Sequence, residues 1–197
     1  MKKLILILIC ATFISQKGFS QSTAKKIMDR LEFGIKGGFN YSDFTDANFD
    51  TDPLEGFNGG LTVAFKINKN LLIQQDFLYS TAGAKVLNGP LGAQKIKLSY
   101  VNVPILIKYR TNFGLYLEAG PQVSLKIDEE VANFNGTDFA KKIDFGLAGG
   151  IGFQSKIGLG IGARYVYGME KVLDVPIANV TPDFKNNNIQ ASLFFVF

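Results

Sequence analysis

The sequence contains no histidine and no tryptophan, and its single cysteine, Cys10, lies within the first ten of 197 residues. Without histidine there is no imidazole ligand and no general base that titrates unperturbed near neutrality. The familiar hydrolase triads and zinc sites therefore drop out, and no metal or cofactor is expected. Beyond the first 20 residues no stretch reaches 18 consecutive apolar residues, so helical membrane spans are excluded. Excess charge of one sign is scarce too. Lys2, Lys3 and Lys17 supply three of the four net positive charges, and from Gln21 onward 18 basic residues face 17 acidic ones. That balance gives no electrostatic footprint for nucleic acid.

What is present begins with a leader. Lys2 and Lys3 precede an apolar run from Leu4 to Ile14, followed by the small residues Gly18 and Ser20. This pattern predicts a secretory signal over 1–20, cleaved between Ser20 and Gln21; the apolar run is too short to anchor the chain as a helix. Leu8 and Ile9 leave no small residue before Cys10, which argues against a lipoprotein. Residues 21–31 then form a short periplasmic segment, in which Thr23 to Leu31 is the only candidate helix, and 32–197 form one domain.

Along that domain the dominant signal is alternation with period two, in eight stretches: 32–42, 56–67, 71–80, 95–109, 113–127, 142–154, 157–168 and 188–197. Separating the two faces is decisive. In the sixth, Ile143, Phe145, Leu147, Ile151 and Phe153 oppose Asp144, Gly146, Ala148, Gly150, Gly152 and Gln154. In the last, Ile189, Ala191, Leu193, Phe195 and Phe197 oppose Gln190, Ser192, Phe194 and Val196. One face is bulky and apolar; the other is small, polar or charged, and rich in glycine.

A soluble sandwich also alternates, so the pattern alone does not name the solvent. Two further features do. Connections alternate between short (68–70, 110–112, 155–156) and long (43–55, 81–94, 128–141, 169–187). Outward aromatics fall in two groups: Tyr41, Phe57, Tyr79, Tyr165 and Tyr167 toward the long loops, Phe65, Tyr109, Phe113, Phe153 and Phe197 toward the short turns. Both features belong to outer-membrane barrels with interfacial girdles. The prediction is an all-β, eight-stranded, antiparallel, up-and-down transmembrane β-barrel in the outer membrane of a Gram-negative cell. The alternative is a soluble exported barrel binding a small apolar ligand.

The segments KLSYVNVPILIKYR, GLYLEAGPQVSLKI, KKIDFGLAGGIGF, GIGARYVYGMEKV and NNNIQASLFFVF resemble the PorT-type outer-membrane β-barrel proteins of Bacteroidota. The likeness runs from about Phe33 to Phe197. It is sharpest at Pro104 and at the pair Gly120-Pro121. It implies a small barrel in the outer membrane and little about activity. Alternation of Leu193, Phe195 and Phe197 also resembles the C-terminal signal read by barrel-assembly machinery.

Eight strands enclose an interior just wide enough for side chains, so no open pore is expected. The facing assignment puts Lys36, Lys66, Lys108 and Arg164 inside with Asp76, Glu118 and Asp144. Charges so confined should pair as a structural network, with Glu118 and Arg164 the foremost pair; an ion or proton path is the alternative. Gly158-x-Gly160-x-x-Ala163 matches a degenerate dinucleotide fingerprint, but that motif needs a following helix, and ARYVYG reads as strand. The acids Asp43, Asp46, Asp50, Asp52 and Glu55 of the first long loop lack the calcium-hand order and read as a solvated rim. No serine sits in a nucleophile motif. The expected role is therefore non-catalytic. Its partners would be outer-membrane lipid and lipopolysaccharide, the assembly machinery, and an envelope or surface protein met through the long loops, above all the apolar last one.

Overall fold

The computed structural model describes residues 21–45, 51–86, 94–131, 141–169 and 185–197. The chain divides into two units, 1–31 and 32–197. In the first, α1 spans Gln21–Met28 and ends where the Asp29 and Arg30 amides donate to the carbonyls of Lys25 and Ile27. The helix therefore starts two residues before the expected one and stops short of Leu31, which already opens a strand. The leader lies outside the described residues.

The second unit is a closed antiparallel barrel of β1 (Leu31–Thr45), β2 (Thr51–Lys66), β3 (Leu71–Val86), β4 (Gln94–Arg110), β5 (Leu115–Val131), β6 (Ile143–Gln154), β7 (Leu159–Gly168) and β8 (Lys185–Val196). Each strand neighbours the next in sequence. The ring closes where β8 pairs with β1, from Gly34↔Val196 to Thr45↔Lys185. Closure leaves no strand edge, which in lipid removes unpaired amides costing several kcal/mol each.

All eight expected strands exist, and their limits differ in an instructive way. β2 begins five residues earlier than the alternation suggested, and β3 and β5 run six and four residues further. Hydrogen-bonded strand thus replaces much of what read as loop; above the apolar belt the alternation of large and small residues fades while the ladder continues. At the other rim two turns are longer than expected. Phe113 and Ile157 belong to the tips Thr111–Gly114 and Ser155–Gly158, not to strands. In each, the closing glycine takes a positive φ (107° at Gly114, 90° at Gly158) and its amide returns to the first residue's carbonyl. A side chain rarely adopts that backbone, so the glycine fixes the turn.

The apolar face points outward throughout. Phe39 (78% exposed), Leu61, Ile107, Leu117, Ile151 and Leu193 form an exposed belt that water would not tolerate at this size. Tyr41 and Tyr165 both stand opposite Ile189, and the Phe57 and Tyr79 rings meet at 5.7 Å, forming one aromatic girdle. Tyr109, Phe113, Phe153 and Phe197 are exposed at the opposite rim.

Candidate functional site

The lumen is where the polar residues gather, and strand register decides which of them meet. Thr62 stands opposite Asp76 across β2–β3, and Lys108 opposite Glu118 across β4–β5. Glu118, Gly150 and Arg164 lie in line across β5, β6 and β7. Gly150 has no side chain, so the Arg164 guanidinium reaches across it. Nε donates to Glu118 Oε1 at 2.8 Å, and Nη2 donates to Asp76 Oδ2 at 2.8 Å. A Cβ on Gly150 would sit 3.1 Å from Glu118 Oε1.

Asp76 is the hub. Its Oδ1 accepts from Thr62 Oγ1 and Gln74 Nε2, both at 2.8 Å, and Lys36 Nζ lies 3.6 Å from Oδ2. Asp76, Arg164, Glu118, Lys108 and Lys36 are all buried. A carboxylate in such a place stays tolerable only when donors surround it, as they do here.

Two expected members of this network lie elsewhere. Lys66 is at the short-turn mouth, its side chain 38% exposed, where it reaches Glu32 at 3.1 Å. Arg110 Nη2 donates to the same carboxylate at 2.8 Å, and Arg110 Nη1 donates to Gln154 Oε1 at 2.8 Å. Lys66 stands at the last pair of the β2–β3 ladder, four residues along β2 from Thr62, the position opposite Asp76, and so it meets Glu32 at the mouth instead. Asp144 faces inward near the long-loop end, among Tyr100, Asn102, Gln122 and Ser124. Lys108 joins the centre without an ion pair. It donates to Gln74 Oε1 at 3.0 Å and lies 3.8 Å above the Tyr116 ring centroid, a cation–π contact.

Sequence reasoning missed Glu32 and Arg110, which sit at strand ends where alternation gives no facing. The alternation already puts Asn58 and Gln190 on the polar face; Asn40, Asn102, Gln122 and Asn188 carry the same signal, in the polar phase of their strands, and were not singled out. The lumen glycines have a direct account. A Cβ on Gly152 or Gly162 would strike the Tyr116 hydroxyl end, and one on Gly160 would strike the Phe194 ring. Two large rings thus fill space that three glycines vacate. The degenerate dinucleotide pattern lies at the turn and start of β7, with no helix after it.

Among the described residues an open hollow of about 460 Å³ lies at the short-turn mouth beside Glu32, Arg110 and Gln154, and two small voids lie inside the lumen. One of about 10 Å³ lies below the central cluster, beside Lys36, Gln74, Lys108 and Tyr116. Another of about 20 Å³ lies above it. Each has room for about one water. Of the first-loop acids, Asp46 and Asp50 lie outside the described residues, while Asp52 and Glu55 are exposed on β2. Phe195 and Phe197 both face outward, their rings 5.5 Å apart and edge-on.

Comparison with known proteins follows the same architecture. Neisserial surface protein A is 18% identical with a TM-score of 0.51, over 85% of this chain and 97% of that one. The outer membrane protein OprG from Pseudomonas aeruginosa is 17% identical with a TM-score of 0.52, over 84% and 95%. At such identities the likeness is one of fold. No curated protein matches the sequence. The family evidence places the barrel in the outer membrane and sets aside the soluble exported alternative. The sequence profile of the outer membrane protein beta-barrel domain matches residues 19–174, and the chain belongs to that family.

Proposed function

We propose that this chain is a closed, non-catalytic outer-membrane barrel that works through contacts at its long-loop end. The observation that carries this reading is the Arg164–Asp76–Glu118 bridge. It joins β7, β3 and β5 across the middle of the lumen, with Lys36 against Asp76 from β1. Opening a path there means breaking buried charge pairs, which costs several kcal/mol each. A solute-conducting role is disfavoured on that ground, and contact at the surface is what remains.

Lipid and lipopolysaccharide surround the belt, a surface or envelope protein is the partner for the long connections, and the assembly machinery reads Phe195 and Phe197. Residues 1–20 act as the cleaved export signal. Within its family the chain groups with the PorT-type proteins of Bacteroidota, on the segments around Pro104 and Gly120-Pro121; no secretion or motility role comes with that grouping. Planar bilayers containing the purified barrel test the closed lumen. Current should match that of protein-free bilayers. Stepwise conductance that persists across preparations would refute the plug.

A further inference from the structure

The short-turn end of the barrel carries more positive charge than its own acids can pair. Lys66, Lys69, Arg110 and Lys156 stand there, and among the described residues of the barrel unit Glu32 is the one acidic side chain at that end. Glu32 is already held by Arg110 and Lys66. Lys69 and Lys156, exposed in the turns that follow β2 and β6, have no ion pair among the described residues. Both line the open hollow of about 460 Å³ at this mouth.

A second hollow, of about 390 Å³, opens on the apolar outer face, lined by Ile35, Gly37, Leu159, Leu193 and Phe195. Register sets Gly37 opposite Leu193, and both Ile35 and Leu159 opposite Phe195. Gly37 keeps it open: a Cβ there would meet nothing nearer than the Asn58 carbonyl oxygen at 3.9 Å. The two hollows share a border. Gly158 and Val196, joined by an amide-to-carbonyl bond of 3.0 Å, line the polar one, and their chain neighbours Leu159 and Phe195 line the apolar one.

A molecule that suits both is amphipathic, with an anionic head and an apolar tail. The short turns of outer-membrane barrels lie on the periplasmic side, and basic side chains at a membrane surface draw anionic headgroups. A free anion would leave the apolar hollow unused. A second copy meeting this face about a two-fold axis would bring its own rim lysines toward these. We propose that the β7–β8 end of the barrel seats one anionic phospholipid, its headgroup phosphate held by Lys156 and Lys69 and an acyl chain lying over Gly37. The site rests on the membrane placement and is independent of the surface-contact role.

Native mass spectrometry of the protein purified from outer membranes in detergent tests it, with phosphatidylglycerol and phosphatidylcholine of the same acyl chains added in equal amounts. The monomer should retain one phosphatidylglycerol several-fold more than phosphatidylcholine. Lys156→Gln, a change in an exposed turn, should cut that preference about fivefold, and Lys69→Gln should add to the loss. Gly37→Leu should fill the apolar hollow and weaken retention while the folded gel band melts as in the parent. Equal retention of the two lipids would overturn the proposal, as would a preference unchanged in Lys156→Gln, or retention unchanged in folded Gly37→Leu. Displacement of the lipid by millimolar glycerol 3-phosphate would assign the mouth to a free anion, and a lipid-free dimer would assign the face to a second copy; either result overturns the lipid seat. Failure here leaves the closed lumen standing, since bilayer conductance reads that separately.

Discussion

Asp76 accepts from Thr62, Gln74 and Arg164 and has the Lys36 ammonium 3.6 Å away, whereas Glu118 pairs with Arg164 through Oε1 and its buried Oε2 has no hydrogen-bond partner among the described residues. This inequality ranks the two carboxylates. Removing one partner from a buried charge cluster costs about 3–5 kcal/mol, since the opposite charge stays behind uncompensated. Asp76→Ala strands both Arg164 and Lys36; Glu118→Ala leaves Arg164 its bond to Asp76. Both variants should lower the unfolding temperature in detergent, read as loss of the folded gel band on heating, and Asp76→Ala should lower it more. Equal melting of Asp76→Ala and the parent would remove the cluster from the stability of the barrel. The sequence showed that these groups face inward, because facing follows from period two. It did not show which would touch, because contact depends on register between strands far apart in the chain. Lys66 and Lys108 show the limit: both face inward by parity, yet one ends at the mouth on Glu32 and the other over an aromatic ring.

At the scale of elements, a one-residue irregularity does similar work. Between Ser99↔Asp128 and Tyr100↔Lys126 the β4–β5 register shifts, and Ile127 is the extra residue. A bulge flips side-chain parity beyond it. Lys126 and Glu129 therefore both turn inward, both nearly buried, and form an ion pair at i,i+3 that a regular strand would forbid. Simple alternation cannot reveal this, since a bulge has no fixed sequence mark. The short turns were legible in place but not in length: Gly114 and Gly158, read from the alternation as the second residues of strands, close the turns instead. The last strand was legible to its end: the Phe197 amide donates to the Phe33 carbonyl at 2.8 Å, while its ring is 76% exposed. Such a ring contributes little to packing, so its value should lie in assembly. Phe197→Ser should reduce the heat-modifiable barrel recovered from outer membranes several-fold. The same variant refolded in detergent should melt close to the parent. Equal recovery in cells would show that Phe197 carries no assembly signal.

Among the described residues the strands differ in length across the barrel. β3, β4 and β5 have 16, 17 and 17 residues, against 10 in β7. About 9–11 tilted residues cross a bilayer, so β7 is nearly all membrane span while the other three continue beyond it. Six or seven extra residues at about 3.3 Å each extend that wall roughly 20 Å further along the strands. The extension lies at the end opposite the termini and the short turns, above the Phe57–Tyr79 girdle. If the long-loop end is the outer one, Lys85, exposed on the extension, faces the medium, and Lys69, exposed in the turn after β2, faces the periplasm. Cys10 is the single natural cysteine and lies in the proposed export signal, so Cys10→Ser as background makes each added cysteine report alone. A polymer-linked maleimide too large for porins should label Lys85→Cys on intact cells, and Lys69→Cys only after the outer membrane is permeabilised. The reverse pattern would invert the barrel and move the projecting wall to the periplasm. Any partner of that wall would then have to be sought inside the envelope instead of at the surface.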